Sequence, residues 1–521
     1  MGTVWSPAPA ESKRPVVAWK GAPGEDVPRD GRRPRGRHDG PRVGRPVAAL
    51  VPAGGEPPVS ALVVVANRGP HTLSVDSGRV VVGRAAGGLA PSLAAALEGR
   101  RSLWIAAATT PDEKEVAARA LAVPATEGLE VQLVEVPDEV AAAHRAFSNG
   151  TLWFLHHGLF DRCRRPVIDR RWHEAWRRYR EYNALLADEI VKSAPRSATV
   201  VVNDYQLSLV GGRLADLRPD LRTVYFTHTP FCDPDELRIL PRSVARELLS
   251  AIAGCGTAGF HTERWAENFR RCAAEHLVDP PEVVVVPLGV DTARLAELAT
   301  SPSAQAARAE LDGFVAGRRL IFRSDRLELS KNIVRGFLAF EELLEAEPDL
   351  AASVVFLAHL YPSREELPEY RAYRNEVERT AARLNERFGN PGRQPVALEI
   401  ADDSDASMAA LGAYDVLVVN ALRDGMNLVA KEGAVLNRRG GVLCLSREAG
   451  AFAELGGASL AIEPFDVTGT AAVIRRALEM PAGERQALAG RLSALASLHP
   501  PAEWLATVES CARPACRPGP G

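Results

Sequence analysis

Two cations and two carboxylates in the C-terminal half of the chain have the types and spacing needed to hold a phosphorylated sugar. In FRSDRLELSKNIVRGF (322–337), Arg326 and Lys331 lie on a loop that follows an apolar run. Arginine presents a forked donor and lysine a point charge, a combination suited to a diphosphate. A departing nucleoside diphosphate builds negative charge on its leaving oxygens, and paired cations offset that charge. Asp325 and Glu328 can instead pair with these cations on the surface. In NALRDGMNLVAKEGAV (420–435), Asp424 can accept hydrogen bonds from sugar hydroxyls, and Glu432 can grip a ribose diol. Gly425 permits a tight turn and close approach of a ligand. The plainer alternative is an ordinary turn in which Asp424 caps a helix and Glu432 is solvated.

Both segments need a strand before them and a helix after them. A helix starting near Asn427 points free N–H groups and its positive end into the crevice beyond the strand. The chain supplies such units repeatedly. Continuous apolar runs (ALVVVAN, SLWIAAA, ATVVVND, RTVYFTH, GTAGFH, EVVVVPLG, then RLIFRS, SVVFLAHL, VALEI, DVLVVNA, GVLCLS, SLAIEP) alternate with amphipathic stretches. Runs of this kind suit strands buried on both faces of a parallel sheet. The expected fold class is α/β, with two Rossmann-like doubly wound domains facing across a cleft. Residues 60–290 are read as the first domain, 291–317 as a hinge and 318–485 as the second. Residues 486–510 are read as a helix returning to the first domain and 511–521 as a tail. Residues 1–59, rich in Pro, Gly and Arg, are expected to be disordered.

Composition narrows the classes further. A chain of 521 residues exceeds one ordinary core, and 46% hydrophobic with 25% charged residues is a soluble globular balance. The net charge of -3 gives no reason to expect nucleic-acid binding. No apolar run reaches membrane-span length, and no signal-peptide core follows the N-terminus. The seven cysteines form no CxxC pair, so reduced thiols in a cytoplasmic protein fit better than zinc or disulfides. The oligomeric state stays open, and a homo-oligomer is compatible with the pattern.

RSDRLELSKNIVRGF together with LRDGMNLVAKE resembles the donor-site motifs of the trehalose-6-phosphate synthases. VVVANRGP (63–70), AGGLAPSL (86–93), FSNGTLWFLHH (147–157), NDYQLSLV (203–210), FTHTPF (226–231), LRILP (237–241), GFHTERWAENF (259–269) and LSREAGAFAEL (445–455) extend the resemblance in the family's order. It implies a GT-B fold, the donor mainly on the second domain and the acceptor on the first. By that resemblance Arg326 and Lys331 bind the diphosphate. Asp424 and the Gly425, Met426, Asn427 and Leu428 backbone form the donor-sugar loop, and Glu432 contacts the ribose. Gly87 and Gly88 let the backbone approach the donor phosphates. His228 sits beside the donor sugar and Asp204 near the reacting hydroxyl. Arg68, Trp153 and Arg364 fall where the family binds the acceptor phosphate and sugar. Taken alone, His228 and Trp153 also read as core residues, Asp204 as a helix cap and Arg68 as a loop cation.

The resemblance further implies transfer of glucose from a nucleotide-glucose to glucose 6-phosphate with retention and without metal. The nucleotide-sugar is then a co-substrate, with no separate cofactor. FSNGTLWFLHH and FTHTPF are similar to the actinobacterial branch, which favours GDP-glucose over UDP-glucose. Departures cluster on the acceptor side. Asn203 replaces a histidine, His144 and Ala146 stand where an aromatic is usual, and Ala106–Ala108 replace a second tryptophan after Trp104. These departures leave two other readings, a pseudo-glycosyltransferase or other sugar- or cyclitol-phosphate transferase, and a non-catalytic regulatory homologue.

Overall fold

The computed structural model describes residues 62–76, 79–84, 89–119, 123–390 and 392–515. Gly87, Gly88, the N-terminal extension and the last residues of the tail lie outside them. The apolar runs form strands because β-branched side chains pack well on both faces of a covered sheet. In chain order these are β1 (Leu62–Val65), β2 (His71–Asp76), β3 (Arg79–Arg84), β4 (Ser102–Ala107), β5 (Val123–Thr126), β6 (Leu129–Val134), β7 (Thr199–Asn203), β8 (Arg222–Phe226), β9 (Thr257–Phe260) and β10 (Glu282–Val285). There follow β11 (Arg319–Arg326), β12 (Val354–Tyr361), β13 (Val396–Ile400), β14 (Val416–Val419), β15 (Val442–Ser446), β16 (Leu460–Ile462) and β17 (Arg513–Pro514).

The first sheet runs β10-β9-β8-β7-β1-β4-β6-β5 and the second β13-β12-β11-β14-β15-β16. The second is parallel throughout, and the first departs only where β5 and β17 pair antiparallel. In each sheet the first-formed strand lies inside, with β1 between β4 and β7 and β11 between β12 and β14. The winding direction reverses at those strands, so the loops leaving their C-terminal ends diverge and open a crevice. The fold therefore places the loops after β1, β7, β11 and β14 at the two crevices.

Some elements were not foreseen. The hairpin β2–β3 and the pair β5–β6 are short, and Glu130 and Gln132 interrupt the apolar run of β6. The stretch 291–317, read as a hinge, forms two helices, Thr292–Ala299 and Pro302–Val315. Leu311 and Val315 are buried in the core of the second sheet, so apolar spacing makes this segment part of that domain. The C-terminal stretch divides in the same way. Helix Ala482–Ala496 buries Leu492 and Ala496 in the second domain. Helix Pro501–Ser510 returns to the first, where Trp504 is 1% exposed and packs 4.7 Å from Phe226. Residues 513–514, read as tail, pair with the start of β8, where β9 has not yet begun.

The chain thus crosses between the domains near 286–291 and again near 497–500. The crossings touch. Gly289 N–H donates to the His499 carbonyl at 2.8 Å, and a Cβ on Gly289 would lie 2.2 Å from the Leu498 oxygen. Buried Lys431 ties the first crossing to the second domain, donating to Leu288 O at 2.9 Å and pairing with Glu454 at 2.6 Å.

Candidate active site

On the second domain, the loops after β11 and β14 are bound into one unit. Asn332 Nδ2 donates to Asn420 O and Asn420 Nδ2 returns a bond to Asn332 O, each at 3.0 Å. Leu422 N–H donates to Ser330 O at 2.8 Å. Asn332 and Asn427 both adopt left-handed backbone (φ 56 and 76), a conformation asparagine tolerates better than most residues. The Asn427 side chain then caps helix Leu428–Leu436 by accepting from Ala430 N–H. Arg323, wholly buried, pairs with Asp325 at 2.7 Å and donates to the Lys331 carbonyl at 2.8 Å. None of Arg323, Asn332 and Asn420 was singled out in the sequence; their roles emerge only when the two loops meet.

That scaffold holds Lys331 Nζ 2.5 Å from Asp424 Oδ2, which also accepts from Asn427 Nδ2 at 3.0 Å. Burial opposes the charge on Asp424, but the Lys331 ammonium outweighs it and holds the carboxyl below its usual range. Burial likewise opposes the Lys331 charge, and Asp424 and Asp325 outweigh it. Gly425 is needed for close approach rather than for a special φ, since a Cβ there would lie 1.9 Å from the His228 oxygen. Trp265 Nε1 donates to Gly425 O at 3.0 Å. Met426 is buried in the second core, while Leu428 touches the cores of both domains. The loop after β14 therefore also contacts the opposite domain.

Glu432, on the helix after the same loop and near Tyr361, is partly buried, and no hydrogen bond or ion pair of it is seen among the described residues. Burial alone pushes its carboxyl up to about 7. A ribose diol gripped by Glu432, as the sequence resemblance implies, needs the ionised form to accept from it, so nucleoside diphosphate affinity should then weaken as pH falls below about 7. The loss should approach about tenfold per unit, and Glu432→Gln should flatten that part of a calorimetric pH series. A series unchanged by the substitution would remove Glu432 from nucleotide contact.

On the first domain, Asp204 follows β7 with φ 73 and ψ 168, a region that is nearly glycine-only. Strain of that kind costs on the order of 1–3 kcal/mol and persists only where surroundings enforce it. Here Oδ1 accepts from Tyr205 N–H (3.1 Å), His228 N–H (3.2 Å) and the hydroxyls of Thr227 (3.3 Å) and Thr229 (3.4 Å). The Thr229 backbone also hydrogen-bonds this carboxylate. Burial raises the Asp204 carboxyl above its ordinary 3.8. A raised carboxyl costs stability as pH climbs through and above its ordinary value, so the ionised form is a burden at neutral pH. Asp204→Asn should therefore keep or raise Tm while lowering kcat by about 10²-fold or more. A matched fall in Tm would instead mark Asp204 as structural.

His228 lies half-buried between the two domains. Its Nε2 is 3.0 Å from Asn203 Oδ1 and its Nδ1 is 3.1 Å from His261 Nε2, so both ring nitrogens are engaged within the protein. Its ring also packs 5.5 Å from that of Trp504.

The acceptor-side residues are only partly gathered. The Arg364 guanidinium stacks 3.9 Å over the Trp153 ring, and the half-exposed Arg326 guanidinium lies 5.3 Å from the same ring. Glu328, read in the sequence as a possible surface partner, is instead fully buried and pairs with Arg326 at 3.2 Å and with Arg364. Burial opposes its charge, but Arg326, Arg364 and Lys331 prevail and hold it down to about 2. Arg68 stays apart. It is exposed, makes no side-chain hydrogen bond or ion pair among the described residues, and its carbonyl accepts from Trp104 Nε1 at 3.0 Å. His144 is stacked 3.5 Å from Tyr182 in the core, with burial lowering it to about 4.

Comparison with known proteins follows the same geometry. Residues 60–512 match the model for glycosyltransferase family 20. A trehalose-6-phosphate synthase from Mycobacterium sp. (strain JLS) is 34% identical over 445 residues, spanning 80% of this chain and 89% of that one. A UDP-forming alpha,alpha-trehalose-phosphate synthase from Burkholderia xenovorans, solved with glucose-6-phosphate, superposes with TM-score 0.75 at 27% identity. That match spans 86% of this chain and 98% of that one. The Escherichia coli trehalose-6-phosphate protein bound with UDP-2-fluoro glucose gives TM-score 0.75 at 26% identity, over 87% and 100%. Two parallel-sheet domains meeting at paired switch points, and a family match spanning both, make this chain a glycosyltransferase of family 20, the trehalose-phosphate synthase family, with the GT-B fold.

Proposed function

We propose that the protein transfers glucose from a nucleotide-glucose to glucose 6-phosphate, forming α,α-trehalose 6-phosphate and a nucleoside diphosphate with retention at the anomeric carbon. The reading is supported by Arg326 of the second domain lying over Trp153 of the first, and by Gly425, next to the Lys331–Asp424 pair, closing on His228, whose N–H binds Asp204. The acceptor hydroxyl oxygen bonds to the anomeric carbon as the bond from that carbon to the diphosphate oxygen breaks. The acceptor proton passes to the departing diphosphate. Arg326 and Lys331 offset the charge on that leaving group, the part a divalent metal plays elsewhere. Asp204 and Asp424 orient hydroxyls, and Glu432 takes the ribose. The cytoplasm is the proposed compartment; no helix among the described residues is long and apolar enough to cross a membrane.

The donor is a GDP- or UDP-glucose. Likeness to the actinobacterial branch favours guanine, and the solved relatives named as UDP-forming favour uracil. A second acceptor, another sugar or cyclitol phosphate, is favoured by Arg364, whose charge is already balanced by Glu328. Purified protein with a panel of nucleotide-glucoses and glucose 6-phosphate tests both. Trehalose 6-phosphate should appear, and turnover should survive a metal chelator. Nucleotide release without that product would transfer the reading to the second acceptor.

A further inference from the structure

Asn203 is 2% exposed at the end of β7, where its amide is held without ambiguity. Nδ2 donates to the carbonyls of Val65 (3.1 Å) and Val201 (3.2 Å), which fixes Oδ1 as the atom facing His228 Nε2 at 3.0 Å. An amide oxygen only accepts, so His228 carries its proton on Nε2. Its Nδ1 is then an acceptor, and His261 Nε2–H is the donor 3.1 Å away, a bond shorter than the competing 3.4 Å contact of His261 Nδ1 with the Val286 carbonyl. The chain Asn203–His228–His261 therefore has one consistent direction. It leaves the His228 ring with neither a free lone pair nor a free proton for substrate.

What His228 presents to the cleft is its peptide. Its N–H donates to Asp204 Oδ1, and its carbonyl oxygen sits where any side chain on Gly425 would collide. The ring is thus a strut whose angle sets a peptide lying between the strained Asp204 and the donor-sugar loop. We infer that Asn203 is a positioning residue for transfer, locking the Nε2–H tautomer of His228 and through that ring the peptide joining Asp204 to Gly425. The inference rests on the proposed reading of this cleft as the reacting centre. Burial, together with the neighbouring His261, holds the imidazole well below its ordinary range, which keeps the ring neutral as this tautomer requires.

Two substitutions separate a tautomer lock from simple bracing of β1 against β7. Asn203→Ala removes both functions. Asn203→Asp keeps an acceptor for Nε2–H but loses both amide donors. The readout is the nitrogen-15 spectrum of histidine-labelled protein at neutral pH, with the His228 signals assigned by their loss in His228→Asn, alongside kcat and donor KM. Asn203→Ala should let the pair reverse, with His228 Nδ1–H donating to His261 Nε2 and His261 Nδ1–H to the Val286 carbonyl, so that the Nε2–H signature is lost and kcat falls at least tenfold with donor KM within about threefold. Asn203→Asp should keep Nε2 protonated and recover most of the lost kcat. An unchanged tautomer in Asn203→Ala, or equal losses of kcat in the two variants, would overturn the inference. Wild-type protein that keeps the tautomer but turns over no nucleotide-sugar would count against the proposed function instead. The tautomer readout would still decide whether Asn203 sets the ring.

Discussion

Arg326→Ala should lower kcat by about 10²–10³-fold, the usual effect of removing one preorganised donor from developing charge. Stability should change little. The Arg326 side chain is 51% exposed, and half-exposed ion pairs contribute at most about 1 kcal/mol. Glu328 keeps Arg364 as its partner, so no buried charge is orphaned. Single-turnover measurements should place the loss in bond cleavage, with donor affinity reduced less than the rate. Turnover within a few-fold of the parent would remove Arg326 from leaving-group stabilisation.

Glu328→Gln should act in the opposite manner, on stability first. It leaves the Arg364 guanidinium, 10% exposed, without its counter-charge, and breaking such a buried pair costs about 3–5 kcal/mol. Denaturant unfolding should show the loss in the second domain, with Arg326 and Arg364 both free to swing from Trp153. The pH dependence follows from the same carboxyl. Its folded value, about 2, lies below the ordinary 4.5, so the stabilisation is complete above about 5 and fades as pH falls toward 2. Glu328→Gln should lose that acid-limb slope. A parent-like midpoint in the variant would show that Arg364 is satisfied elsewhere.

Much of this was legible in the chain because buried parallel strands are written as continuous apolar runs. Every run read as a strand became one, and Arg326, Lys331 and Asp424 were found because they follow two of those runs. Glu328 and Arg323 were not legible in the same way. A charged residue beside a strand reads as solvated, and only the arrival of Arg364 from β12 and of the 420–427 loop makes its burial favourable. Helices 292–299 and 302–315 were misread for a related reason: Ala-rich stretches with few large apolar residues look like linkers until Leu311 and Val315 find the second core. Asn203, visible only as a departure, acquired meaning from His228 and His261, which lie far along the chain.

The return of helix Pro501–Ser510 also governs the order in which the molecule can be made. Trp504 closes the core beside Phe226 and donates from Nε1 to Val286 O, and residues 513–514 complete the exposed start of β8. The domain synthesised first therefore lacks part of its interior until residues 501–514 are made, while the second domain, completed by 496, already has its core. A nascent chain stopped before residue 500 would carry a finished second domain and an open first one. A chain lacking residues 501–514 should expose the apolar face around Phe226 and Val286 and be prone to aggregate.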